Sequence, residues 1–287
     1  MLGRDTRLLA GTVIVALMVV LVGASTPGGT LFTGVRPATA ARDVVPGRVA
    51  TWNLCNPCET STADQAAELA AYAPQVIALQ EACEEDVRRI RDYLSYRFGL
   101  EYYVEYGPVL RDWSRCGGWP WHPGGFGQAL LSAAPMTDVV RAEYPDGGSE
   151  DRGYLAVTTT VGGRSVRVFD THLAQRRQES VRVGQIEVLA EAVARYDRAI
   201  VLGDFNAVPE APELGPMWEL ADDADTRCNP SAAPTDTSGG LCEPTTDWRS
   251  KFDYVFLRGL EARAQQVHRT SYSDHDLVHA DLAPAVP

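Results

Sequence analysis

The chain has 287 residues, 26 Lys+Arg against 38 Asp+Glu, a formal net charge of −12 and 45% hydrophobic residues. This balance excludes a disordered or low-complexity chain, and 25 Gly with 18 Pro exclude a collagen-like or linker-dominated one. The acidity argues against holding nucleic acid by bulk positive charge, but not against an enzyme that meets phosphates at one small site.

Arg4 and Arg7 precede an uncharged apolar run from Leu8 to Ala24. A positive segment followed by an apolar one is the pattern of a secretory signal. Small residues offer cleavage after Ala24 or Ala40, and residues 25–43 read as a Gly/Pro/Thr-rich spacer. The alternative is a retained anchor, for which the run is at the short limit. Loss of 1–40 removes Arg4, Arg7 and Arg36 against Asp5 and leaves a net charge of −14. The expected organisation is signal and spacer over 1–40 and one domain over 41–287, secreted and monomeric. Six cysteines, an even number, agree with export and predict disulfides. Cys228 and Cys242 bracket a Pro/Ser/Thr/Gly-rich loop and are expected to pair, worth about 3 kcal/mol in the chain-entropy picture. Cys55, Cys58, Cys83 and Cys116 leave three pairings open. A zinc site on Cys55 and Cys58 lacks a second pair at finger spacing.

In chain order, Arg48–Asn53 is a β-branched and aromatic run that predicts a strand. Ser61 with Asp64 predicts a capped helix start, running to Tyr72 before Pro74. Gln75–Gln80 is a buried-strand run, and Glu84–Phe98 a helix closed by Gly99. Glu101–Leu110 and Gln128–Ser132 predict strands around a Trp/Gly/Pro-rich loop at 111–126, whose Trp113, Trp119 and Trp121 are expected to pack the loop, with an exposed aromatic hairpin for membrane contact or stacking on bases as the alternatives. Thr137–Tyr144, Tyr154–Val161 and Ser165–Asp170 are further strands, the last two joined by a Gly162-Gly163 hairpin turn. A helix over Glu179–Tyr196 and a strand at Ala199–Leu202 follow. After a long loop at 221–249, strands at Phe252–Leu257, Ala262–Val267 and Leu277–Leu282 close the chain. No repeat or later linker appears. Regular strand–helix alternation stops after residue 110, which disfavours a doubly wound or barrel fold.

Several strands end in polar residues that a core would not choose: Asn53, Glu81, His172 after Asp170, Asp204 with Asn206, Asp253, and Ser273-Asp274-His275 before the last strand. Any one alone has a plainer explanation. Asn or Asp after a strand is usually a turn residue, and an acid before a helix complements its dipole, which suits Glu84 and Glu85 better than Glu81. His122, His268 and His279 read as surface or satisfied core residues. Six such positions in one domain point instead to a site built at strand ends.

The pieces TWN, ALQE, GFGQALLS, DTHL, LGDFNAVP, FDYVF and SDHDLV occur in the order found in the endonuclease/exonuclease/phosphatase superfamily. The chain resembles that family over residues 48–282, and GDFN and SDH are its most specific marks. The family includes DNase I-like nucleases, exonuclease III-like repair enzymes, bacterial sphingomyelinases and inositol polyphosphate 5-phosphatases. The resemblance implies an α/β (α+β) four-layer DNase I-like sandwich, two packed, mostly antiparallel sheets flanked by helices. It also implies phosphoester hydrolysis with a divalent cation, Mg²⁺ first and Mn²⁺ or Ca²⁺ as alternatives. Glu81 is then the principal metal ligand, with Asp274 sharing and Asn53 positioning metal or phosphate. His275 is the candidate base, paired with Asp253. Asp204 orients or deprotonates the attacking water, and Asn206 and His172 donate to phosphate oxygens. Two departures stand out. The residue after Asn53 is Leu54 rather than the usual Gly, leading into Cys55-Asn56-Pro57-Cys58. ALLS is followed by Ala133-Ala134 rather than a basic residue.

Three functions compete: a secreted nuclease, which is the leading expectation; a hydrolase of a lipid or small phosphoester, such as a sphingomyelinase or inositol phosphatase; and a non-catalytic binding module. Arg111, Arg115, Arg176, Arg177, Arg249 and Lys251 are candidates for local phosphate contacts, each with a solvated surface charge as the plainer reading.

Overall fold

Each half of the fold contains a strand–helix–strand unit in a computed structural model that describes residues 43–56, 58–175, 177–230 and 242–284. The proposed signal, its cleavage points and the boundary at residue 40 lie outside the described residues, as does Arg176. The first half runs β1 (Val45–Asn53), α1 (Thr62–Tyr72), β2 (Pro74–Cys83), α2 (Glu84–Phe98), β3 (Tyr103–Arg111), α3 (Trp113–Cys116), β4 (Gly118–Trp119), β5 (His122–Pro123) and β6 (Gly125–Ser132). The second runs β7 (Thr137–Glu143), β8 (Gly153–Val161), β9 (Arg164–His172), α4 (Glu179–Ala194), β10 (Ala199–Asp204), α5 (Gly215–Leu220), β11 (Asp222–Asp223), β12 (Asp253–Arg258), β13 (Ala262–His268) and β14 (Leu277–Leu282).

Local chemistry sets the boundaries. The Ser61 hydroxyl accepts from the Asp64 amide at 3.2 Å and donates to its carboxylate at 2.6 Å, which fixes the start of α1. Ala73 in the left-handed region ends that helix just before Pro74, which cannot continue it. Glu84, Glu85 and Asp86 crowd the first turn of α2, and Gly99 at φ 69° closes it.

Two six-stranded sheets result, ordered β13-β14-β1-β2-β6-β3 and β11-β12-β10-β9-β8-β7. In each, one central pair is parallel, β1 with β2 and β9 with β10, and every other pairing is antiparallel. The parallel pairs are those joined by a crossover helix, α1 or α4, as parallel geometry requires. Val49, Ala78, Leu130, Val157, Val168, Ile200, Val255 and Val278 fill the space between the sheets. Helices α1 and α2 cover the outer face of the first sheet through Leu69, Ile90 and Leu94 against Trp52, Ile77 and Leu79. Helices α4 and α5 cover the second through Ile186, Leu189 and Met217 against Phe169, Val201 and Phe256. This is the four-layer sandwich expected from the sequence. Central strands buried on both faces explain why β2, through Val76–Leu79, and β10, through Ala199–Leu202, read as continuous apolar runs rather than alternating ones.

Cys228 pairs with Cys242 as expected, and the open pairings resolve as Cys55–Cys58 and Cys83–Cys116. Three disulfides suit an oxidising, extracellular-type compartment. Among the described residues, no helix is long and apolar enough to cross a membrane. The 111–126 loop is more ordered than expected. It contains α3 and a small β4–β5 hairpin, tied to β2 by Cys83–Cys116. Its tryptophans do not pack inward: Trp119 and Trp121 are 64% and 80% exposed and stack on each other at 5.5 Å. A two-residue hairpin has no face broad enough to bury two indoles.

Candidate active site

Parallel strands leave their carboxyl ends at one edge of a sheet, where loops diverge and open a crevice. Asn53 is the last residue of β1 and His172 and Asp204 are the last of β9 and β10. Asp253 begins β12, which runs antiparallel to β10, so it sits at the same edge in register with Asp204. His172 is the register partner of Asp204 on the other side. His275 precedes β14, antiparallel to β1, and the loop holding it is tied to that strand. The Ser273 hydroxyl donates to the Asn53 carbonyl at 2.7 Å, and the Trp52 indole donates to the His275 carbonyl at 3.0 Å. Topology thus gathers residues from 53 to 275 at one end of the sandwich.

Backbone strain aims three of them. Glu81 has φ 51°, where the pairing of β2 with β6 slips between Leu79 and Ala82. This bulge turns its side chain out of the sheet toward the cleft. Asn206 at φ 50° and Cys55 at φ 52° are likewise left-handed. Such strain in non-glycine residues gathers at functional sites. Gly203, at φ 145°, is required: a Cβ there would lie 2.0 Å from the Thr171 carbonyl oxygen of the neighbouring strand. Only glycine lets β9 and β10 close up where His172 and Asp204 emerge.

Asp204 is the hub. Its Oδ2 accepts from Asn53 Nδ2 at 3.1 Å and Asn206 Nδ2 at 3.3 Å. It also lies 3.3 Å from His172 Nε2 and 3.8 Å from His275 Nε2. Its Oδ1 accepts from the Asn206 amide at 2.8 Å. Burial opposes the charge, but His275, His172 and these donors outweigh it and hold the carboxyl well below the usual range. His275 Nδ1 is 2.9 Å from Asp253 Oδ2, and the Thr245 hydroxyl donates to that same oxygen at 2.6 Å. Burial pulls His275 down, yet Asp253 and Asp204 together push it up to about 10. His275 therefore has by far the greater proton affinity of the two groups that could take a proton from water, and it serves as a base only in its unprotonated fraction, while Asp204 stays ionised and is suited to orienting.

Glu81 accepts from the Asn56 amide at 3.1 Å and from Asn53 Nδ2 at 3.4 Å, and it lines a cleft of about 1040 Å³ with His172, Asp204, Asn206, Asp274 and His275. Asp274 is the outlying member. Its carboxylate lies within 4.8 Å of the sulfurs of Cys55 and Cys58. Those cysteines are joined to each other, which removes the thiolates a zinc site would need. The Asn53 oxygen is held by the Cys55 amide at 2.9 Å, and the oxygen donors left in the cleft include the Glu81, Asp204 and Asp274 carboxylates, a hard set that fits Mg²⁺, Mn²⁺ or Ca²⁺, with the His172 and His275 rings beside them.

Three further neighbours carry no positional signal in the sequence. Trp248 stands edge-on to His275 with ring centroids 5.4 Å apart and is 46% exposed into the cleft. The turn at 245–250 holds it there through the Thr246–His275 bridge and the Asp247 amide donating to the Asp274 carbonyl. Glu150 and Arg152, from the loop before β8 and its end, complete the floor around His172. None of the three stands after a predicted strand. Of the basic candidates, Arg115 and Arg177 line the cleft. Lys251 does not: it is buried against Asp223 at 2.8 Å.

The endonuclease/exonuclease/phosphatase family pattern matches residues 50–275, most of the described chain. The chain belongs to that family. Solved structures agree on the fold. Humanized D. rerio TDP2 is 17% identical with a TM-score of 0.62, covering 82% of this chain and 98% of its own. The human nocturnin catalytic domain with bound sulfate anion is 22% identical with a TM-score of 0.59, covering 83% and 94%. Beta toxin from Staphylococcus aureus is 14% identical with a TM-score of 0.59, covering 81% and 98%. Comparison with curated proteins finds no match. Membership of the endonuclease/exonuclease/phosphatase family makes the chain a phosphoester hydrolase by class, and its buried Asp–His cluster suits the metal dependence typical of that family.

Proposed function

We propose that the protein is a secreted, metal-dependent phosphodiesterase that works by in-line attack of water without a covalent intermediate. The observation that carries this reading is Asp204 lying between two buried histidines, beside Glu81, at the mouth of one cleft. Glu81, with Asp274 and Asn53, would hold a divalent cation, Mg²⁺ in the first instance. Such a cation, when bound, neutralises phosphate charge and polarises its oxygens. His275 takes the proton of the attacking water, and Asp253 stabilises the resulting imidazolium. Asp204 orients that water. His172 and Asn206 donate to the phosphate oxygens, where negative charge builds in the transition state. All these residues lie on one chain, so a monomer suffices. The three disulfides support export, and the apolar run at 8–24 is its expected signal.

The nuclease reading leads on substrate, because an open cleft with the Trp248 indole at its margin admits a flexible chain whose bases can stack on that ring. A second reading, a lipid or small phosphodiester, is favoured by the charge of the cleft. Glu81, Glu150, Glu179, Asp204 and Asp274 face it against Arg115 and Arg177, and Arg115 is bonded to Glu150. A polyanion has little there to follow beyond the cation. The discriminating experiment compares plasmid DNA, RNA, sphingomyelin and bis-(4-nitrophenyl) phosphate at fixed Mg²⁺, with and without EDTA. EDTA-sensitive cleavage of DNA or RNA is expected. Cleavage of sphingomyelin alone would select the second reading, and no turnover of any substrate would leave a binding module.

A further inference from the structure

His172 does not sit on a carboxylate as His275 does. Its Nδ1 is 2.8 Å from Arg152 Nη1, and both side chains are buried. A guanidinium has only donors and does not lose its proton in proteins. The contact therefore has one polarity: Arg152 donates and Nδ1 accepts. The same Nη1 lies 2.9 Å from Glu150 Oε1, so its two N–H groups serve Glu150 and His172. Glu150 is bonded in turn to Arg115, which sits over the Phe126 ring at 4.9 Å on the disulfide-tied α3. Arg152 is thus anchored from behind by a carboxylate, and swinging away from the imidazole would break its ion pair with Glu150.

We propose that Arg152 is a positioning residue that locks His172 in the tautomer with its proton on Nε2, making it a donor only. Because Nδ1 must present a lone pair to Arg152, the single ring proton stays on Nε2. Nε2 is the atom that faces Asp204 Oδ2 at 3.3 Å and opens on the cleft. Asn206 Nδ2 also lies 3.1 Å from Nε2, but its two hydrogens have acceptors in the Leu173 carbonyl at 3.1 Å and Asp204 Oδ2 at 3.3 Å, so it does not require a lone pair there. A second proton on the ring would set N–H against N–H in a buried contact. His172 is thereby barred from acting as a base at Nε2, and its N–H is held ready for an anionic oxygen. His275, whose Nδ1 is fixed by Asp253, has the opposite arrangement, with Nε2 as the exchangeable position. The tautomer follows from Arg152 at Nδ1 together with Asp204 at Nε2; its use on a phosphate oxygen rests on the proposed phosphodiesterase reading.

The test is long-range ¹H–¹⁵N correlation NMR of the histidine side chains in the full chain at neutral pH, with His172 assigned from the spectrum of H172Q. The expected result is an Nε2–H tautomer for His172 in the wild type. In Arg152→Met it becomes a mixture or shifts to Nδ1–H, and in Arg152→Lys, which keeps a donor, Nε2–H is restored at least in part. Arg152→Met should also lower kcat by about 10–100-fold, the scale usual when the partner orienting an active-site imidazole is lost. An Nδ1–H tautomer in the wild type would overturn the proposal, and this needs no variant to fold. An unchanged tautomer in a folded Arg152→Met would overturn it too. An Nε2–H tautomer in a protein that hydrolyses nothing would count against the phosphodiesterase reading and leave the lock standing.

Discussion

The two histidines on either side of Asp204 differ in what stands behind them. His275 is backed by the Asp253 carboxylate at 2.9 Å, and His172 by the Arg152 guanidinium at 2.8 Å. An anion behind an imidazole raises its proton affinity and frees Nε2 for proton exchange. A cation behind it leaves Nε2–H as a fixed donor. One residue type thus supplies two chemical functions 3.3 Å and 3.8 Å from a shared carboxylate, and the division is made by neighbours rather than by the histidines.

The largest way to break this contrast is to remove each ring. His275→Ala should cost about 10³-fold or more in kcat, since it removes proton transfer and unpairs buried Asp253. His172→Ala should cost about 10–100-fold, the loss of one donor. Equal losses in side-by-side turnover measurements would mean that the two rings are not functionally distinct. Asp253→Asn comes next. Asp253 pushes His275 up, so its neutralisation must lower that proton affinity. A base works only when unprotonated, so the acid limb of kcat/KM should move to lower pH, and kcat should fall about 100-fold. An unmoved limb in the pH–rate profile would show that another group is the base.

The smallest effect concerns a pair outside the site. His268 Nε2 and His279 Nδ1 lie 2.8 Å apart, with the His268 ring stacked on Tyr72. Burial, then Arg48 and His268, push His279 down to about 4. The folded protein therefore favours the neutral ring, while the unfolded chain takes up a proton below about pH 6.5. Stability from this group should be complete above pH 6.5 and decline as pH falls toward 4, by on the order of 2 kcal/mol. Thermal unfolding across that window should show the slope, and His279→Asn should flatten it.

Much of this fold is legible in the sequence because each signal is local. Ser61 with Asp64, Gly99 after α2 and Gly162-Gly163 mark boundaries by their own chemistry, and two-sided burial makes the central strands uninterrupted apolar runs. The polar strand ends were legible for the same reason: Asn53, Glu81, His172, Asp204 and Asp253 interrupt those runs. What could not be read arises from contacts far apart in sequence. Arg152 becomes a partner of His172 only because β8 and β9 pair as a hairpin, and Trp248 reaches His275 only through a bridge across the 245–250 turn. The bulge that aims Glu81 depends on β6, some 45 residues further on. Helix α5 is one turn and a half beginning Gly-Pro, too short to show a period. The exposed Trp119 and Trp121 defeat the usual inference that indoles pack.

The most direct measurement is Mg²⁺-dependent release of 4-nitrophenol from bis-(4-nitrophenyl) phosphate by the wild type, Glu81→Gln and His275→Ala, each checked for an unchanged thermal transition. The proposed reading of the site predicts turnover in the wild type that EDTA abolishes and Mg²⁺ restores, with loss of at least about 10³-fold in both folded variants. Turnover that survives EDTA, or that persists at the wild-type rate in folded Glu81→Gln or His275→Ala, would contradict it.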